Sequence, residues 1–159
     1  MGDEPYEMRA LNILLADDDK DDCIFFNEVL EELPLNTNLT TVFDGEQLMH
    51  LLQKSSSPLP DVLFLDLNMP RKNGHACLVE IKRSENLKAL PVVVYSTSFD
   101  EDMADQLYEN GAHHYICKPG DFALLKQVIH KAIVLTVGEL HSQPPRVNFL
   151  LSQLKTLLW

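Results

Sequence analysis

The stretch that decides the fold is DVLFLDLNMP, residues 61 to 70. Four apolar residues lead into Asp66, and Asn68 and Pro70 then interrupt the apolar run. A short, unbroken apolar run of this kind is typical of a parallel strand that is covered on both faces. Because burying an unpaired charge costs free energy, the carboxylate of Asp66 needs neighbours that compensate it.

The composition limits the size of the protein and its classes of partner. With 159 residues, 45% hydrophobic and 23% charged, the chain resembles one globular domain. Its net charge of −11 and scattered Lys and Arg predict no nucleic-acid partner. The absence of a long apolar run, a secretory signal or a myristoylation site predicts no membrane partner and a cytoplasmic location.

Cys23, Cys77 and Cys117 lack CxxC spacing, so we expect buried thiols and neither disulfides nor a zinc site.

Apolar runs and helical periodicity alternate along the chain, with no internal repeat. The connections between the apolar runs are long enough for helices, which predicts a parallel sheet with helices on both faces. We therefore predict a five-stranded, doubly wound α/β domain. The predicted strands are 11–16, 39–43, 62–67, 91–96 and 114–118.

Parallel strands bring their carboxyl ends to one edge of the sheet, where open α/β folds bind ligands. Carboxylates about 4 Å apart repel by about 4 kcal/mol per pair at an effective dielectric constant of about 20, so this edge needs positive charge. Lysine supplies part of it, and Mg²⁺ fits best because it binds few carboxylates and can bridge to a phosphoryl oxygen. The polar residues predicted at this edge are Asp17, Asp18, Asp66, Ser96, Thr97 and Lys118.

The predicted edge can support phosphoryl chemistry. A carboxylate left nucleophilic beside a metal ion can form an aspartyl phosphate. Ser96 could then hydrogen-bond the phosphoryl oxygens, and Lys118 could pair with them. The acidic run DDDKDD, residues 17 to 22, has a second interpretation as the capped, solvated start of a helix.

The order and spacing of these residues resemble the receiver domain of two-component response regulators. The resemblance spans about residues 9 to 138, and residues 67–103 look closest to small stand-alone receivers related to cyanobacterial phytochrome response regulators. It implies a flavodoxin-like sheet with strand order 2-1-3-4-5. The positions that carry it are Asp17, Asp18, Asp66, Pro70, Ser96, Tyr115, Lys118 and Pro119.

The resemblance also assigns the metal and phosphoryl roles. Asp66 matches the phosphoacceptor, which takes a phosphoryl group from the histidine of a sensor kinase or a histidine phosphotransfer protein. The implied Mg²⁺ ligands are Asp17, Asp18, Asp66 and the backbone carbonyl of Asn68, with Asp18 a direct ligand. Such a domain is not an enzyme in the usual sense, since it catalyses only its own Mg²⁺-dependent phosphorylation and dephosphorylation.

The resemblance further implies a conformational switch. Lys118 matches the lysine of the site, and family members usually hold the following peptide bond, here Lys118–Pro119, in cis. Ser96 and Tyr115 match the switch residues. We expect phosphorylation to draw Ser96 inward, to let Tyr115 occupy the vacated space, and to reshape the face of the last two helices. The altered face would signal to a downstream protein by direct contact.

The chain continues beyond the predicted receiver domain, residues 9–141, into a C-terminal extension, residues 142–159. We predict an amphipathic helix there, which either packs on its own domain, pairs with a second copy to make a homodimer, or fits a partner's groove. Its apolar residues at helical spacing are Val147, Leu150, Leu151, Leu154, Leu157 and Leu158.

Two other classes of protein fit less well. A phosphatase of the haloacid dehalogenase type needs a second acid two residues after its nucleophile, and Asn68 cannot donate that proton. A flavin-binding flavodoxin needs a phosphate-binding loop after the first strand. Acidic residues stand there instead and would repel a phosphate.

Overall fold

The computed structural model describes residues 9–54, 58–138 and 142–151. Within these residues a six-stranded parallel sheet has the order β2-β1-β3-β4-β5-β6. The strands are β1 Leu11–Ala16, β2 Thr37–Val42, β3 Val62–Leu65, β4 Val92–Ser96, β5 His114–Cys117 and β6 Leu150–Leu151. The helices are α1 Lys20–Glu32, α2 Gly45–Leu52, α3 Gly74–Arg83, α4 Glu101–Glu109 and α5 Phe122–Gly138.

Helices cover both faces of the sheet, as predicted. One apolar cluster joins the sheet to α1 and α5, and includes Phe26 and Ile129. The other joins the opposite face to α2, α3 and α4, and includes Leu48, Leu78 and Leu107. None of the described helices combines the length and apolar character needed to span a bilayer.

Side-chain caps place the helix starts close to the edge where the strands end. Asp19, Asp44, Asn73 and Asp100 each accept hydrogen bonds from backbone amides in the first turn of α1, α2, α3 and α4. After α4, Gly111 has a φ of 99°, a conformation that side chains other than glycine rarely adopt. The strand ends and helix starts are therefore fixed by local chemistry that the sequence displays.

The prediction of five strands is wrong, because β6 adds a sixth. Leu150 pairs with Tyr115 and Leu151 with Ile116, so the chain continues the sheet beyond β5 in parallel. The predicted C-terminal helix is also wrong up to residue 151: a short 3-10 helix, Arg146–Asn148, precedes β6. The rest of that predicted helix, residues 152–159, lies outside the described residues.

There is a physical reason why residues 150–151 form a strand and not a helix. A bare β5 edge would leave backbone donors and acceptors unsatisfied, and the amide of Tyr115 donates to the carbonyl of Phe149 at 2.9 Å. Phe149 is fully buried, whereas Val147, which the helical pattern placed on the apolar face, is 72% exposed. A short apolar run fits strand or helix equally well, and the neighbouring edge decides between them.

Polar contacts also hold the segment of residues 142–151 against α4. The hydroxyl of Tyr108 donates to the carbonyl of Pro144 at 2.6 Å. The side-chain amide of Gln143 donates to the carbonyls of Tyr108 and Ala112, both at 2.7 Å. Tyr108 lies in the last turn of α4, where its carbonyl also accepts from the amide of Gly111, and Ala112 lies just beyond the helix. The segment therefore contacts the C-terminal end of α4 as well as extending the sheet.

We predict that Phe149→Ala lowers the free energy of unfolding by about 3–5 kcal/mol, since it empties a buried aromatic position. The Phe149 ring also makes edge contacts with Tyr108 and Tyr115. Val147→Ala, in the same segment, is the matched control and should change stability by less than about 0.5 kcal/mol. Urea unfolding of both variants measures the difference, and a larger loss in Val147→Ala would favour the helical interpretation.

Candidate functional site

The carboxyl ends of β1, β3 and β5 bring the predicted acidic residues and lysine together. One carboxylate oxygen from each of Asp17, Asp18 and Asp66 lies within 4.8 Å of the others. The ammonium of Lys118 lies 2.8 Å from Asp17 and 3.9 Å from Asp66. The chain leaves β1 to one side for β2 and returns on the other side for β3, which is where open α/β sheets bind ligands.

Backbone hydrogen bonds continue beyond the strands and fix the two buried carboxylates. The amide of Asp66 donates to the carbonyl of Ala16 at 2.9 Å, and the amide of Asp17 donates to Val42 at 3.1 Å. The amide of Asn68 donates to Oδ1 of Asp66 at 3.3 Å. Asp66 is therefore held by its backbone and by the loop that follows it.

The three carboxylates differ in their exposure to water. Asp17 is fully buried and Asp66 is 6% exposed, whereas Asp18 faces solvent. Burial raises the pKa of Asp66 to about 7, and the charge of Asp17 adds to this, while Lys118 opposes it without cancelling it. Lys118 alone therefore does not fully compensate the negative charge of ionised Asp66, and a further positive charge would stabilise it.

Lys118 is the cation of the site. Burial lowers its pKa, but hydrogen bonds to Asp17 and Asp22, each 2.8 Å long, more than compensate and leave the pKa raised. The ammonium also lies 4.7 Å from the centre of the Tyr95 ring. Its side chain is 7% exposed, so the lysine is held as a charged group inside the protein.

The peptide bond between Lys118 and Pro119 is trans, contrary to the expectation drawn from the resemblance. The lysine nevertheless points into the site. Its backbone amide donates to the carbonyl of Ser96 at 2.8 Å, which continues the β4–β5 pairing, and the carboxylates attract its ammonium. Strand pairing and charge are therefore sufficient to aim it.

Asp22 was not predicted as a partner of Lys118. Its acidic run indicated no more for this residue than the solvated start of a helix, whereas its carboxylate accepts a hydrogen bond from the lysine in the folded protein. The sequence does hold a signal for this contact: Phe26 lies four residues later and is buried, so Asp22 shares the sheet-facing side of α1.

The predicted switch residues, Ser96 and Tyr115, are both hydrogen-bonded to Ser98 in the loop after β4. Ser96 is fully buried at the end of β4, and its Oγ accepts from the amide of Ser98 at 3.3 Å. Tyr115 is already buried, and its hydroxyl donates to the carbonyl of Ser98 at 2.6 Å. The Tyr115 ring makes edge contacts with Phe99 and Phe149. Tyr115 thus links the loop after β4 to the C-terminal segment.

Residues 13–130 match the family described as the response regulator receiver domain. The chain belongs to this family. Receiver domains are signalling domains that accept a phosphoryl group from histidine kinases on an aspartate, and they bind a divalent metal ion. The predicted membership of the receiver-domain family is therefore confirmed.

Response regulators from cyanobacteria are among the similar proteins. Response regulator Rcp1 of Synechocystis is 39% identical over 110 residues, which are 67% of this chain and 75% of Rcp1. The Mn²⁺-bound structure of Rcp1 covers 81% of this chain and 96% of its own, with 33% identity and a TM-score of 0.73. The phosphorylated cyanobacterial phytochrome response regulator RcpA covers 81% and 95%, with 32% identity and a TM-score of 0.74.

We predict that Asp66→Asn stabilises this receiver domain at pH 8 in the presence of a chelator. Because the pKa of Asp66 is raised in the folded protein, the protein loses stability as the pH rises from the ordinary carboxyl pKa of about 4 to about 7. The variant should gain on the order of 2–4 kcal/mol over wild type at pH 8, and the gain should vanish near pH 4.

Urea unfolding at both pH values measures this difference. Asp102→Asn, which removes an exposed carboxylate on α4, is the control and should differ from wild type by less than about 0.5 kcal/mol at either pH. A gain for Asp66→Asn that is the same at pH 4 and pH 8 would show that ionisation of Asp66 is not its cause.

Proposed function

We propose that Asp66 is the phosphoacceptor of this receiver domain and takes its phosphoryl group from a sensor histidine kinase or a histidine phosphotransfer protein. The observation that carries the proposal is the position of Asp66. It directly follows the central strand β3 beside the reversal in strand order, with one of its oxygens within 4.8 Å of an oxygen from each of Asp17 and Asp18, and it lies 3.9 Å from Lys118. A carboxylate oxygen of Asp66 would attack the phosphorus atom of the donor's phosphohistidine, and the P–N bond would break, so that the phosphoryl group moves to Asp66 and the imidazole is released.

The carboxylates fit a hard divalent cation, and we propose Mg²⁺. Oxygen ligands at this spacing suit it, and a single ammonium does not balance their charge. Both oxygens of Asp17 already have partners, in Lys118 and the amide of Asp19. This favours Asp66 and the exposed Asp18 as direct ligands. The backbone carbonyl of Asn68 is proposed as a further ligand. The ion would offset the negative charge of the phosphoryl oxygens.

The site's own residues would respond to the added phosphoryl group. Phosphorylation adds roughly −1.5 to −2 charge, which would attract the ammonium of Lys118 and the hydroxyl of Ser96. Ser96 is joined to Ser98 through the Ser98 amide, and Ser98 is joined to Tyr115 through its carbonyl. A displacement of Ser96 would therefore move the loop after β4 and Tyr115 together, and would alter the face formed by α4 and α5.

The remaining roles follow from the same site. We propose that the domain catalyses only its own Mg²⁺-dependent phosphorylation and dephosphorylation. We also propose that it acts in the cytoplasm, where it signals by contact with a downstream protein or by forming a homodimer. The receiver unit would extend over residues 9–141. The segment from residue 142 onwards would be an addition that covers part of α4 and β5.

We predict that the wild-type protein takes up one phosphoryl group during incubation with Mg²⁺ and acetyl phosphate. Intact-mass spectrometry measures the uptake. Asp66→Ala should take up none, because it lacks the nucleophilic carboxylate, whereas the control Asp102→Asn should be phosphorylated like wild type. Uptake by Asp66→Ala equal to that of wild type would place the phosphoacceptor elsewhere.

A further inference from the structure

Lys118 is shared unequally among its carboxylate neighbours. Its ammonium is 2.8 Å from Asp17 and 2.8 Å from Asp22, which are hydrogen-bonding distances, but 3.9 Å from Asp66, which is not. The stronger contacts lie towards β1 and α1. In the structure described here, the cation of the site is therefore drawn away from the residue proposed to be phosphorylated.

We propose that Asp22 is a positioning residue that holds the ammonium of Lys118 away from Asp66 and so weakens the hold of the site on a phosphoryl group. The inference rests on the function proposed above. A phosphoryl group on Asp66 would have to draw the ammonium out of its hydrogen bond with Asp22. The free energy of that bond would then be subtracted from the affinity of Lys118 for the phosphoryl oxygens.

Asp22 is suited to this role in a way that Asp17 is not. Asp17 is fully buried and belongs to the group of carboxylates that could hold a metal ion. Asp22 lies outside that group, on the first turn of α1, and its side chain is 27% exposed. Water can therefore solvate the Asp22 carboxylate when the lysine moves to the phosphoryl group, so no buried charge is left unpaired.

A purely structural role in starting α1 does not account for the contact. Asp19 already caps the helix by accepting from the amides of Asp21 and Asp22. Asp21 places the same charge in the same first turn and is exposed. Asp21 can therefore make the favourable interaction with the helix dipole. Of Asp21 and Asp22, only Asp22 hydrogen-bonds Lys118.

The test compares the affinity of three variants for beryllofluoride, an anionic mimic of the phosphoryl group, in the presence of Mg²⁺. Asp22→Asn should bind it about two- to fivefold more tightly than wild type, the range that a partly exposed ion pair supports. Asp21→Asn removes the same charge from the same turn and should bind like wild type. Asp22→Glu keeps the charge and should restore wild-type affinity.

A second measurement separates positioning from a general change in charge or stability. In the protein without metal or beryllofluoride, the NMR resonances of the Lys118 side chain at Cε and Nζ should shift in Asp22→Asn and stay unchanged in Asp21→Asn. Thermal unfolding of both variants verifies that each is folded.

The inference is overturned if Asp22→Asn binds beryllofluoride no more tightly than wild type, or if Asp21→Asn shows the same gain. Unchanged Lys118 resonances in Asp22→Asn would overturn it equally. These outcomes leave the proposed function intact as long as the wild-type protein binds the mimic and is phosphorylated. A wild-type protein that does neither would overturn the proposed function itself.

Discussion

The ammonium of Lys118 makes it possible for several carboxylates to share one edge of the sheet. It hydrogen-bonds Asp17 and Asp22 and lies 3.9 Å from Asp66, at a place where Asp17 and Asp66 are almost inaccessible to water. Without this charge the carboxylates would repel one another with little screening by solvent. The positive charge of Lys118 nevertheless does not fully compensate the carboxylates, since the pKa of Asp66 remains raised beside it. The same imbalance that costs stability would attract a divalent ion and, with it, a phosphoryl group.

Most of the frame that positions this site could be predicted from local sequence patterns. β1 begins and ends at the predicted residues, 11 and 16, and α4 lies between two residue types that commonly bound helices, Asp100 as its N-cap and Gly111 just after its end. These features depend on apolar periodicity and on caps, which involve neighbours in sequence. The meeting of Asp17, Asp18, Asp66 and Lys118 follows from a single further step, because parallel strands end on the same side of the sheet.

The features that escaped prediction depend on residues far apart in the chain. Asp22 and Lys118 are 96 positions apart, so nothing in the local acidic run distinguishes Asp22 from Asp21 except its place on the face of Phe26. β6 forms because β5 offers an open edge, and residues 146–151 alone do not reveal that edge. The trans peptide bond at Lys118–Pro119 departs from the pattern implied by resemblance, although strand pairing still directs the lysine inward.

We propose that the carboxylates at the sheet edge need a divalent ion in addition to Lys118. Anomalous diffraction from a crystal of this protein grown with Mn²⁺ tests it most directly, because the ion is located by its own scattering. We expect one anomalous peak in contact with the carboxylates of Asp18 and Asp66. A peak elsewhere, or none at this edge when Mn²⁺ is abundant, would contradict it.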